Sequence, residues 1–207
     1  MIDILNYGMG NIGSIQNMLK KVGIANRIIF NAAEVDSSRA LIIPGVGHFD
    51  NAMNKLNEGG LRSSLDSAAM QRRIPILGIC LGMQIMTNAS EEALSPGLGW
   101  IQAKTVRING ANDGLSVPHM GWNLVYPRDK SHPYFNDDGF LEHRFYFVHS
   151  YVVQCDNQSN ILTTSDYGGN FVSSFFCENL TGVQFHPEKS HKFGESFFRR
   201  YAEFIQL

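Results

Sequence analysis

Three residues in this chain have the types and spacing for covalent chemistry through sulfur. Cys80 stands at the centre of Gly78-Ile79-Cys80-Leu81-Gly82, after the apolar run Ile74-Pro75-Ile76-Leu77 and before Met83-Gln84-Ile85-Met86. The pattern predicts a buried strand, a sharp turn and a helix, with the cysteine strained at the turn. Glycines two residues to either side remove side chains that would collide in so tight an elbow. A thiol placed there stands above the carboxyl end of a sheet and at a helix N-terminus, where the dipole and free N–H groups favour thiolate. Near the other end, Gly182-Val183-Gln184-Phe185-His186-Pro187-Glu188 offers a base and an acid two residues apart. In extended backbone, residues i and i+2 project to the same side. Glu188 can then accept a hydrogen bond from one ring nitrogen of His186 while the other faces Cys80, the arrangement of nucleophile, base and orienting acid. Pro187 between them suits a rigid strand end. Singly, Cys80 reads as a small buried hydrophobe and His186 as a solvated turn residue; together they favour the chemistry.

The elements that must position these groups alternate through the first half. Asp3 to Tyr7 reads as a strand. Ile12, Ile15, Met18, Leu19 and Val22 recur at helical spacing, with Gly23 as a stop. Arg27 to Phe30 and Ala40 to Ile43 read as further strands; Phe49, Met53 and Leu56, then Leu61, Leu65, Ala68 and Ala69, mark two helices. This alternation implies an α/β fold with a doubly wound, largely parallel sheet and helices on both faces. Ligands bind beyond the strand carboxyl ends of such sheets, where Cys80, Pro44-Gly45-Val46-Gly47 and the first glycine turn all fall, so one cleft is expected to hold them. The second half is richer in β-type runs, Phe145 to Val153, Phe171 to Phe176 and Thr181 to Phe185, before a closing helix striped with Phe193, Phe197, Tyr201, Phe204 and Ile205. Without a linker, repeat or low-complexity segment, residues 1–207 read as a single domain.

Composition narrows the function classes. Hydrophobic residues at 43 % and charged residues at 17 % place the 207-residue chain among globular proteins with a sizeable core. No apolar run reaches the roughly 18 residues of a membrane span, and no leader pattern precedes the first strand. Three cysteines, Cys80, Cys155 and Cys177, suggest free thiols and a cytoplasmic location. A net charge of −2 with scattered basic residues argues against nucleic acid as a partner. The histidines show no metal-ligand spacing, so no metal and no cofactor is expected. Gly8-Met9-Gly10-Asn11-Ile12-Gly13 matches the dinucleotide fingerprint between a strand and a helix. However, the second strand ends Ile29-Phe30-Asn31 without the acid that would bind a ribose, and Glu34 and Asp36 read as turn residues.

Gly78-Ile79-Cys80-Leu81-Gly82-Met83-Gln84 with Gly182-Val183-Gln184-Phe185-His186-Pro187-Glu188 resembles the class I (triad) glutamine amidotransferases over the whole chain. Within them, Tyr7-Gly8-Met9-Gly10-Asn11, Pro44-Gly45-Val46-Gly47, Val117-Pro118-His119-Met120-Gly121-Trp122-Asn123 and Tyr146-Phe147-Val148-His149-Ser150-Tyr151 resemble the glutaminase subunits of imidazole glycerol phosphate synthases. The resemblance implies a flavodoxin-like fold and hydrolysis of L-glutamine by Cys80, His186 and Glu188. It implies an oxyanion site from the N–H of Leu81 and from the Val46–Gly47 loop. Gln84 and Glu92 match positions that hold the glutamine head group, and Ser150 and Tyr151 match backbone contacts. It further implies a (β/α)8 cyclase partner that receives the ammonia for histidine biosynthesis, contacted by Asn11, Trp122, Tyr146 and Lys189. Paralogous glutaminases supply sugar amidotransferases of surface polysaccharide synthesis and form the alternative. His119 and His149, with no acid placed to orient either as a base, are expected to support the site from behind or be structural, and Cys155 and Cys177 to be inert.

Overall fold

The computed structural model describes residues 1–109, 114–136 and 139–206. The chain opens with β1 (Ile2–Leu5), α1 (Ile12–Lys21), β2 (Asn26–Ile29), α2 (Ala32–Ser37), β3 (Leu41–Gly45), α3 (Phe49–Asn57) and α4 (Leu61–Asp66), which runs on into a π turn. Then come β4 (Ile76–Cys80), α5 (Leu81–Gln84), β5 (Ala89–Ser90), β6 (Ala103–Arg107), β7 (His119–Pro127), β8 (His143–His149) and β9 (Tyr151–Cys155). The chain closes with β10 (Ile161–Asp166), β11 (Asn170–Cys177), β12 (Leu180–Val183) and α6 (His191–Phe204).

Among the described residues the strands join one sheet ordered β2-β1-β3-β4-β12-β11-β10-β7-β8, with β9 and β6 branching from β11. The run from β2 to β12 is parallel and the run from β12 to β8 is antiparallel, so the parallel character belongs to one half of the sheet. The central strands β1, β3 and β4 are buried throughout, as strands covered on both faces must be. One core lies under each face: Phe49, Met53, Leu56, Leu65 and Phe175 on one side, Ile15, Leu19, Phe145, Phe185 and Phe197 on the other.

Several local expectations need correction. Glu34 and Asp36 are helical, within α2. Asn31 caps that helix by accepting from Glu34 N at 3.1 Å, while the Glu34 carboxylate accepts from Phe30 N at 2.7 Å, a reciprocal box that stabilises a short helix with little apolar periodicity. The apolar run 145–153 is two strands. The chain bends at Ser150, so β8 pairs with β7 while β9 pairs with β6 and β11. The helix after the elbow is a single turn, because the carbonyls of Ile85 and Met86 accept from Leu98 N and Trp100 N instead of continuing it.

Candidate active site

The elbow is built as the glycine spacing requires. Cys80 ends β4 at φ 56°, ψ −110°, a left-handed conformation that costs a residue with a Cβ about 1–3 kcal/mol. A Cβ on Gly78 would stand 2.5 Å from Gly82 O, and one on Gly82 would stand 1.9 Å from Ile43 O, so only glycine fits at either place. α5 is a single turn, so it offers first-turn N–H groups rather than a helix macrodipole at the elbow.

His186 reaches the same place from β12, the parallel neighbour of β4. Ile79 is opposite Val183, and the chain beyond Val183 turns to bring the imidazole to the sulfur. His186 and Glu188 are both buried, and His186 Nδ1 donates to Glu188 Oε1 at 2.8 Å. Burial pulls this imidazole toward neutrality. The Cys80 sulfur, acting with the Glu188 carboxylate, outweighs burial and pushes its pKa from 6.5 up to about 10. Both the charge of the Cys80 sulfur and its approach to the ring raise the imidazole, although among the described residues no atom meets His186 Nε2 in full hydrogen-bond geometry. Such contacts commonly tighten only when substrate arrives. Ser190 pins the turn: its hydroxyl donates to His186 O at 2.6 Å and accepts from Tyr146 N at 3.0 Å.

A cavity of about 240 Å³ opens over the sulfur, lined by the predicted Val46, Gly47, Cys80, Leu81, Gln84, Glu92, Ser150 and Tyr151, and also by Pro118, Val148 and His149. Among the described residues Glu92 is the one acidic residue of this lining, and its carboxylate is fixed by accepting from Phe49 N at 3.0 Å. Gln84 is tied down by donating to Tyr151 O at 3.0 Å. Gly47 takes φ +106°, and the preceding Pro44 carbonyl is held by the buried Tyr7 hydroxyl at 2.8 Å. Burial, and then the Cys80 charge, push the Tyr7 phenol upward, keeping it a donor. His186 and Glu188 do not line the cavity, nor does the first glycine turn. Gly10 packs against the Pro44 ring, and Asn11 caps α1 by accepting from Ser14 N, so this turn buttresses the cleft from outside.

The residues expected to meet a partner form a separate cluster beside the His186 turn. Trp122 and Tyr146 face each other across β7 and β8, with ring centroids 6.4 Å apart, and Lys189 Nζ lies 5.8 Å from the Tyr146 centroid. Trp122 also stacks on His191 at 5.6 Å. Asn11 is exposed at the start of α1, which packs beside the 187–189 turn.

The family model of glutamine amidotransferase class-I matches residues 3–202. The chain belongs to the class I glutamine amidotransferases. It is 48 % identical to "Imidazole glycerol phosphate synthase subunit HisH 2" of Methanococcus maripaludis, over 98 % of this chain and 99 % of that protein. It is 42 % identical to "Imidazole glycerol phosphate synthase subunit HisH" of Leptospira interrogans over the same shares. The fold is similar to that in "Structure of PurLQS from Thermotoga maritima", at a TM-score of 0.76 and 15 % identity over 99 % of this chain and 98 % of that one. This class I amidotransferase is therefore also a member of the HisH family and an enzyme.

For an amidotransferase of this kind, sequence reasoning missed two groups on the sulfur itself. The Cys80 thiol points at Val148 O, 3.8 Å away, and Gln184 Nε2 donates to Cys80 Sγ at 3.6 Å. Gln184 was accessible to the same period-two argument that paired His186 with Glu188, since 184 and 186 share a side of an extended segment. Nothing local marks the Val148 carbonyl. His149 was expected to support the site or be structural; burial holds it neutral with a pKa of about 3, and it lines the cavity.

Proposed function

We propose that this chain, folded as one amidotransferase domain, is the glutaminase subunit of a cytoplasmic imidazole glycerol phosphate synthase, releasing ammonia from L-glutamine to a (β/α)8 cyclase partner in histidine biosynthesis. The observation that carries the reading is the strained Cys80 elbow beside the buried His186–Glu188 pair, opening on a cavity that carries the Glu92 carboxylate. Glu92 suits the α-ammonium of glutamine, and the Ser150–Tyr151 backbone suits its carboxylate end. The Cys80 sulfur attacks the side-chain carboxamide carbon while His186 carries the proton. The oxyanion that forms is met by the N–H of Leu81 and by an N–H of the Val46–Gly47 loop, each such donor contributing about 2.7–4 kcal/mol. His186 passes its proton to the departing nitrogen, the C–N bond breaks, and a γ-glutamyl thioester remains. Water, deprotonated by the same imidazole, then adds to the thioester, and glutamate leaves as the sulfur recovers its charge. Glu188 holds the imidazole tautomer throughout.

The leaving nitrogen starts beside His186, and Tyr146, whose carbonyl accepts from His186 N at 2.9 Å, belongs to the Trp122–Tyr146–Lys189 cluster. A cyclase docked there would receive ammonia before water protonates it. The relatives' printed names support this partner. The test is glutamate release by the chain mixed with a cyclase subunit. Turnover that rises on adding the imidazole precursor ligand and is abolished by Cys80→Ala supports the reading. Turnover indifferent to that ligand would instead favour supply of a sugar amidotransferase.

A further inference from the structure

A run of buried and half-buried hydrogen bonds leads from β7 to the nucleophile. Asn123 Nδ2 and His119 Nε2 are 3.3 Å apart, and His119 Nδ1 and His149 Nε2 are 2.9 Å apart. His149 Nδ1 lies 2.9 Å from Tyr151 O, which also accepts from Gln84 Nε2. The second hydrogen of Gln84 Nε2 goes to Gln184 Oε1 at 2.9 Å, and Gln184 Nε2 donates to Cys80 Sγ. His119, His149, Gln84 and Gln184 are all buried.

The partners leave one consistent placement of protons. A carbonyl only accepts, so His149 Nδ1 carries hydrogen. Burial holds His149 neutral, so its Nε2 is bare and accepts from His119 Nδ1. Burial likewise holds His119 neutral, with a pKa of about 4, and its bare Nε2 accepts from Asn123. At the other end, turning the Gln184 amide over would set its oxygen against the sulfur and its NH2 against the NH2 of Gln84. That reversal is blocked as long as Gln84 is anchored to Tyr151 O, and His149 steadies that carbonyl.

We propose that Gln184 is a positioning residue that donates to the Cys80 sulfur, that the Tyr151 carbonyl, through Gln84, sets the direction of that donor, and that His149, braced by His119 and Asn123, holds that carbonyl in place. The inference rests on reading Cys80 as the nucleophile. Its physical content is a hydrogen bond that strengthens when the sulfur is charged and keeps it from settling toward the Val148 carbonyl. The chain starts on β7 beside the exposed Trp122.

The rate of Cys80 alkylation by iodoacetamide, followed by mass spectrometry on the full chain, reads the sulfur directly. Gln184→Met keeps the volume without the donor and slows alkylation about fivefold; with a cyclase subunit present it lowers kcat and leaves KM unchanged. His119→Phe keeps the stacking on Phe147 and Tyr167 but breaks the chain, and slows alkylation about threefold. His119→Gln, with one donor and one acceptor, recovers most of the rate. Phe171→Leu, which packs on both histidine rings without joining the chain, alkylates as the wild type does. Should Gln184→Met fail to fold, Gln184→Asn, which withdraws the amide from the sulfur, is read in its place. Wild-type alkylation by folded Gln184→Met overturns the positioning role, and wild-type alkylation by His119→Phe overturns the chain. Neither result touches the glutaminase reading, which fails instead if the wild-type complex releases no glutamate.

Discussion

Cys80 carries its strain because its glycine neighbours leave no alternative packing. Gly82→Ala is expected to cost about 3 kcal/mol, seen as a lower urea midpoint, since the new Cβ would press on Ile43 O. Gly13→Ala is the contrasting case. Nothing stands within 4 Å of a Cβ there, so alanine in α1 is expected to stabilise by about 0.5 kcal/mol, whereas a dinucleotide loop would not tolerate it. The histidines set the pH dependence. His119 and His149 are buried neutral, with pKa values of about 4 and about 3. As pH falls below the unfolded value of about 6.5, the unfolded chain takes up protons that the folded chain refuses until much lower pH, so stability is lost on the acid side. His186 acts in the opposite sense. Its contribution is complete below about 6.5 and is lost as pH rises through about 10. Each group is worth about 3–5 kcal/mol, so urea midpoints should be highest near pH 6.5, and His119→Phe should flatten only the acid limb. A midpoint unchanged between pH 4 and pH 6.5 would contradict the buried neutral assignment.

At the scale of elements, β3, β4 and β12 do the assembling. Their parallel register brings the Pro44–Gly47 loop, the Cys80 elbow and the His186 turn to one end of the sheet. The final turn depends on Ser190, which is buried and bonded on both sides. Ser190→Ala leaves the Tyr146 N–H unpaired, at about 1–3 kcal/mol, and frees the His186–Glu188 turn. Glutamate release by the complex is expected to fall in kcat while KM holds; a change confined to KM would place the Ser190 effect in substrate binding instead. The strand ends were legible because apolar runs and flanking glycines are local signals. The split of residues 145–153 at Ser150 was not, because both halves have strand character and only their partners differ: β7 for one, β6 and β11 for the other.

Across the whole molecule, the cavity and the Trp122–Tyr146–Lys189 cluster are distinct surfaces joined through His186. Trp122 is 47 % exposed and stacked on His191, an aromatic anchor already ordered before any partner arrives. Trp122→Ala is expected to weaken association with a cyclase subunit at least about tenfold, measured by calorimetry, and to leave the melting temperature of the free chain nearly unchanged. Loss of melting temperature without loss of affinity would make Trp122 a folding residue instead. Among the described residues no helix is long and apolar enough to cross a membrane.

The amino-acid sequence alone determined the parallel half of the sheet, the elbow and the candidate chemical set, because helical and strand periods, glycine spacing and an i, i+2 pair act over a few residues. Only the tertiary structure decided which buried polar groups meet. Gln84 and Gln184 are 100 positions apart, and His119 and His149 are 30 apart. No local pattern states that their hydrogen bonds join into one line ending on a sulfur atom, because that depends on how β4, β7, β8 and β12 cross in space.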